Sequence, residues 1–345
     1  MPKKKITGLV GGTGGYVLAK GLSDYTDRFD ISMIYSTADD GGSARTLVYE
    51  FGLLPFSDSI QLIMALSPVH DDHVTDVLSQ LVSHRFSNTN SFEGQRTGNL
   101  IYAALTEILG SEQKAISFIA HDLLHIQGRV IPVTYDKSQL VAEYANGKQM
   151  KGESSIDVPK YKWQANHRIT SLFYDPDVQA NPDAVDRILD SDLIVLGPGD
   201  VFTSVLPNVV CHGIAQALRD TDAEIVYVSN LMSKWGQTNH YATVSKLIDV
   251  MNSYISTDTQ NYIDYCLVNN SDIKKTMAKA YYDYADNDVV AIEDDCESIH
   301  NGTQIVRADV LSDQHVIKVK GDKLIRSLIR HSPEKLAKAL IDIIT

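Results

Sequence analysis

Apolar positions along this chain follow two rhythms. Runs that are apolar almost throughout recur at Lys5–Val10, Ile31–Thr37, Leu193–Leu196, Ile225–Val228, Tyr265–Val268 and Val289–Ile292. Strands buried on both faces require such runs, and with helical stretches between them they predict a parallel sheet covered on both sides by helices. From Thr46 to Leu124 the period lengthens, through Ile60, Ile63, Met64 and Leu66 and then Val74, Val77, Leu78, Leu81 and Val82. That spacing predicts a helical layer across 46–125. Across 129–175, the β-like pieces Val130–Val133, Leu140–Tyr144 and Ile169–Tyr174 are separated by Gly147, Gly152 and Pro159, which predicts an antiparallel excursion. Pro333 behind Ser332, with Leu336, Ala339, Leu340 and Ile343 on one face, predicts a last helix. The expected fold is α/β: a Rossmann-like, doubly wound, mostly parallel sheet with a helical insertion and a small antiparallel β excursion, in a single domain over 1–345.

Composition narrows the function classes. The chain has 345 residues, 31 Lys+Arg against 44 Asp+Glu, and a net charge of -13, which argues against wrapping nucleic acid or resting on an anionic membrane. Cys211, Cys266 and Cys296 are widely spaced without a C-x-x-C, so neither a disulfide framework nor a zinc cluster is expected. No apolar run reaches membrane-spanning length, so no membrane insertion is expected, and a reducing cytoplasm is the expected compartment.

The chemistry concentrates after the strands. Gly11, Gly12, Thr13, Gly14 and Gly15 follow the first apolar run and precede a helix expected near Tyr16, a junction suited to holding phosphate on helix N–H groups. The same glycines also suit a tight turn chosen for geometry alone. Asp39, Asp40, Gly41, Gly42 and Ser43 follow the second run. Either an Asp holds a ribose hydroxyl or a divalent cation and the Gly-Gly-Ser segment meets a phosphate, or Asp40-Gly41 is a turn and Asp39 a helix cap. Gly197, Pro198, Gly199 and Asp200 repeat the logic, with Thr203 and Ser204 expected to open a helix. Arg96 supplies a fork for phosphate, Asn99 caps its helix or meets a base, and Asn230 lies at a strand's carboxyl end or in a turn. His121 and His125, at i and i+4 with Asp122 between them, read as a solvated or core-edge pair, since no third metal ligand is evident.

Taken in order, G-G-T-G, A-D-D-G-G-S, His84-Arg85-Phe86, Thr97-Gly98-Asn99-Leu100, Gly152-Glu153-Ser154-Ser155-Ile156 and the segment Gly197 to Asn208 resemble the CofD-like superfamily over nearly the whole chain. The G-E-S-S-I element and the long G-P-G segment look like its gluconeogenesis-factor (YvcK-like) branch rather than the 2-phospho-L-lactate transferase branch. The resemblance implies a nucleotide-binding Rossmann-like core. For the first branch it implies a link to carbon-source-dependent growth and cell shape, with a UDP-sugar or a dinucleotide such as NAD(P) as ligand. For the second it implies a magnesium-dependent transfer of phospholactate from a guanosine diphosphate-linked donor to a deazaflavin, in which Asp40 and Asp58 would hold the metal. It also places Tyr281-Tyr282 and Arg330-His331 near the nucleotide sugar, Tyr282 stacking on a base or packing at the core edge and Arg330 gripping a diphosphate.

Several positions depart from the family pattern. Val10 replaces the first glycine, Ile60 and Gln61 replace an Arg and an Asn, Gln95 and Arg96 replace a His-Ser pair, Thr46 replaces an Arg, and Gln237 replaces a Glu. Losing several polar groups at once favours binding over turnover. The expected partner is a small nucleotide ligand, with a homo-oligomer or a regulatory protein partner left open.

Overall fold

The computed structural model describes residues 2–68, 73–87, 93–273, 289–313 and 329–345. Its strands are β1 (Lys4–Val10), β2 (Phe29–Tyr35), β3 (Arg129–Pro132), β4 (Gln139–Tyr144), β5 (Gln149–Lys151), β6 (Ile169–Asp175), β7 (Leu193–Leu196), β8 (Glu224–Val228), β9 (Tyr265–Asn269), β10 (Ile299–His300) and β11 (Thr303–Ala308). Eight of them form one sheet in the order β10-β11-β9-β8-β7-β1-β2-β3, and every pairing except β10 with β11 is parallel. Read outward from β1, the sheet winds through β2 and β3 on one side and through β7, β8 and β9 on the other. This is the doubly wound order, and its direction reverses between β1 and β7.

Alternate residues of the central strands feed two separate cores. Leu9, Ile34, Ile194, Leu196, Ile225 and Tyr227 face one, while Ile6, Val10, Met33, Leu193, Val195 and Val226 face the other. Full burial of one such aliphatic side chain is worth about 1.5–3 kcal/mol, so strands loaded on both faces hold the sheet between two layers. The second core is covered by α1 (Gly12–Ser23), the helices α2 (Ala44–Tyr49), α3 (Ser57–Leu66), α4 (His73–Ser83), α5 (Thr97–Leu109) and α6 (Glu112–Ser117) of the predicted helical stretch, and the last helix. The first core is covered by a three-stranded antiparallel sheet, order β5-β4-β6, and by later helices. The inward residues of that small sheet, Leu140, Ala142, Tyr144, Leu172 and Tyr174, are buried. Between β5 and β6 lie the short helices α7 (Glu153–Asp157) and α8 (Lys162–Asn166), and after β6 come α9 (Pro182–Leu189), α10 (Leu206–Val209), α11 (Ile214–Asp220), α12 (Val244–Ile255) and α13 (Pro333–Ile344). Ser332 caps α13 by accepting from the Lys335 N–H, as its sequence predicts.

Four expectations change. The piece Val130–Val133 does not join the antiparallel excursion; β3 pairs parallel with β2 at the edge of the main sheet. The run Val289–Ile292 is not a strand: an isolated bridge pairs Ala291 with Met232, and the neighbour of β9 is β11. T-Q-I-V-R-A is hard to see in sequence because it lies next to the sheet edge and alternates instead of running apolar. The first helix starts at Gly12, four residues before Tyr16, so most of the glycine turn is helix. After Asp200 comes one wide turn over Val201–Val205 with i→i+5 spacing, and only then α10.

Candidate functional site

The carboxyl ends of β1 and β7 open into a cavity of about 700 Å³ at the point where the winding reverses. Ligands of doubly wound sheets bind at this place, because the loops leaving adjacent strands there run in opposite directions and leave a crevice. Gly11 precedes α1 in an extended conformation, and Gly12 has φ +57, a left-handed backbone that favours glycine. The reason for Gly14 is different. A Cβ there would stand 2.2 Å from the Pro198 carbonyl oxygen, so the two glycine loops touch backbone to backbone. Asn230 fastens the second loop: its amide donates to the Gly199 carbonyl at 2.8 Å, and its own oxygen accepts from the Tyr227 hydroxyl. From behind, the buried Asn208 amide donates to the Val10 and Ser204 carbonyls.

The N-terminus of α1 already holds a carboxylate. Asp58, in the first turn of α3, accepts from the Gly12 N–H at 2.7 Å, and a negative charge is favourable at that end of a helix. Asp39 accepts from the Gly41 N–H at 2.9 Å. Burial, and then the Asp58 carboxylate, push the Asp39 carboxyl up to about 7. Asp40 turns the other way and accepts from the Ser154 N–H at 2.9 Å, which ties the loop after β2 to α7. Burial, with Asp157 and Asp39 nearby, raises Glu153 well above the usual carboxylate range. Lys234 bridges the Asp157 and Asp200 carboxylates at 2.5 and 2.6 Å; although burial opposes its charge, the two acids hold its pKa above the ordinary lysine value. The Thr203 hydroxyl donates to Asp157 at 3.2 Å.

Of the residues singled out from sequence, Gly11, Gly12, Thr13, Gly14, Asp39, Gly41, Gly42, Ser43, Asp58, Gly199, Asp200, Thr203, Asn230 and Arg330 share the wall of this one cavity. Gly197, Asp40, Arg96 and Asn99 stand behind it. Gly197, at φ +87, turns the chain out of β7. The Asn99 amide donates to the Ser43 carbonyl from within α5, so it neither caps its helix nor reaches the cavity. Arg96 precedes α5 and directs its guanidinium toward the Ser57 carbonyl, whereas Arg85, its antiparallel neighbour, is the arginine on the wall. Arg85 donates to the Ser43 hydroxyl and the Gly94 carbonyl at 3.1 and 2.9 Å. Tyr281 and Tyr282 lie outside the described residues. His121 and His125 are exposed, and the ring of His125 bonds the His121 carbonyl, which matches their reading as a solvated pair.

Sequence reasoning missed Glu153, Asp157, Lys234 and Trp235 as wall residues. Their only signals were the G-E-S-S-I element and proximity to Asn230. His331, adjacent to Arg330 on the wall, is neutral because burial drops its pKa to about 4. Asp40 and Asp58, paired from sequence as magnesium ligands, are turned to different backbone amides, and among the described residues no three His, Cys, Asp or Glu side chains are placed to hold a metal. Of that pair only Asp58 lines the cavity. The wall combines glycine backbone and serine side chains with Val158, Leu231 and Trp235, a lining suited to a ligand with a polar and a planar part. No helix among the described residues is long and apolar enough to cross a membrane.

Comparison with known proteins agrees with this geometry. The family model described as 2-phospho-L-lactate transferase CofD matches residues 6–311. The chain is 32% identical to the putative gluconeogenesis factor of Thermotoga maritima, covering 97% of this chain and 98% of that protein. It is also 32% identical to the gluconeogenesis factor of Bacillus subtilis, covering 99% and 98%. A crystal structure of a UPF0052 family member from Bacillus halodurans superposes with a TM-score of 0.83 at 29% identity, covering 99% of each chain.

Proposed function

The chain belongs to the CofD family, within its gluconeogenesis-factor branch, and from that premise we propose that it is a regulatory protein that binds a nucleotide ligand, a UDP-sugar or a dinucleotide such as NAD(P), in the cavity between β1 and β7. The supporting observation is the meeting of three glycine-rich loops, after β1, β2 and β7, on one crevice. In this reading the Gly11–Gly14 and Gly199 backbones flank the phosphates, with Gly41, Gly42 and Ser43 at a second phosphate position. Asp39 meets a ribose hydroxyl, Arg330 grips the diphosphate, and Asn230 holds the Gly199 loop at the base end. Asp40, Asn99 and Arg96 act from behind the wall. The link to carbon-source-dependent growth and cell shape belongs to the same proposal. Isothermal titration with UDP-N-acetylglucosamine, NAD and GDP tests it: heat with at least one is expected, and none with any would overturn it.

The second reading is a phosphotransferase of the phospholactate type, favoured by the family's description. Titrations of wild type and Asp58→Asn, each with and without magnesium, separate the two readings. Ligand affinity unchanged by metal and by substitution would remove the metal-centred mechanism.

A further inference from the structure

We propose that Trp235 is the stacking platform for the planar ring of the ligand, a nucleobase or nicotinamide; this inference rests on the nucleotide-binding reading of the cavity. Trp235 lines the cavity half-buried, and among the described residues no aromatic ring pairs with it. An indole held this way offers a large apolar face to a planar group, and stacking is tolerant of which base is presented.

The backbone that carries the ring is held from both sides. Before it, the Ser233 N–H donates to the Val290 carbonyl at 2.7 Å, and the Ser233 hydroxyl accepts from the Val290 N–H at 2.9 Å. Lys234 is clamped by Asp157 and Asp200, its N–H donates to the Thr238 hydroxyl, and its carbonyl accepts from the Thr238 N–H. After it, Gly236 takes φ +73, and a Cβ there would stand 2.3 Å from Pro159, so the turn is pressed against the segment that follows α7. With the backbone anchored on both sides, only the two χ angles of the indole remain to be ordered when a ligand arrives, a small entropy cost. Val158 and Leu231 line the same cavity as Trp235, as do Asp200 and the Gly199 loop. A ligand with phosphates at the glycine loops and a ring at Trp235 would use both kinds of lining.

The test uses the full chain and the probe among UDP-N-acetylglucosamine, NAD and GDP that wild type binds. Trp235→Leu is expected to weaken that probe about tenfold or more, while Trp235→Phe, which keeps a ring, stays within about threefold of wild type. Because the chain has two tryptophans, Trp163→Phe leaves Trp235 as the sole indole, and its emission is expected to change on saturation with the probe. Equal affinity in Trp235→Leu and wild type, equal weakening in the Leu and Phe variants, or unchanged emission would each overturn the stacking role while leaving the cavity reading in place. Wild type binding none of the three probes would overturn both.

Discussion

The two walls of the cavity are held by different forces. On the side of β1 and β7, Gly11 and Gly14 meet Pro198 and Ser204 at backbone contact, so the loops are fixed by shape. Elsewhere on the wall, Lys234 bridges Asp157 and Asp200 with Glu153 in its field, and Asp39 lies in the field of Asp58, so that part is fixed by charge. Close packing has no pH or salt dependence and tolerates no added atom, whereas a charged cluster tolerates volume changes but responds to protons and ions. The molecule thus pairs a rigid wall with a titratable one.

The largest effect is expected from Gly14→Ala. Its methyl would overlap the Pro198 carbonyl, a backbone atom that cannot swing aside, and a loss of about 3 kcal/mol or more is expected. Thermal unfolding of this variant at several salt concentrations checks both the size and the salt independence. A loss confined to low salt would mean that the glycine wall also depends on charge.

Next comes Lys234→Met, which strands two carboxylates. The lysine side chain is 28% exposed, so the penalty of a fully buried pair is reduced by solvent, and about 1–3 kcal/mol is expected. Adding Asp200→Asn to Lys234→Met is expected to recover part of that loss, and a double-mutant cycle by denaturant unfolding measures the recovery. A zero coupling energy would show that the charged wall is held by packing after all.

A smaller effect is expected at Asp39. Its folded pKa lies above the unfolded value, so the folded state binds more protons between about pH 4 and 7. Stability associated with this group is therefore fully present at low pH and lost as pH rises through about 7. Asp39→Asn is expected to be more stable than wild type at pH 8 by on the order of 1 kcal/mol, measured by thermal unfolding, with the difference vanishing near pH 4. A pH-independent difference would assign the effect to something other than titration.

Much of this was legible in the chain. Strands such as Leu193–Leu196 are apolar throughout because both their faces are covered, and that local rule needs no tertiary knowledge. The glycine clusters could likewise be placed at strand ends. Arg85 and Arg96 could not be told apart, since both flank one short bridge and only the docking of that bridge decides which guanidinium meets the cavity. Asp39 and Asp40 posed the same difficulty, being adjacent residues that the loop turns in opposite directions, one to Gly41 and the other to Ser154.

By itself the sequence determined the doubly wound plan, the helical stretch, and the family to which the chain belongs, because these follow from periodicity and from motifs kept in order. Only the tertiary structure decided what the motifs touch. Asp58 reaches Gly12 across 46 residues and Lys234 reaches Asp157 across 77, and such pairings depend on how distant elements pack. Gly14 shows the distinction most plainly: the sequence marks it as a glycine at a turn, and the fold shows that the absent side chain makes room for a second loop.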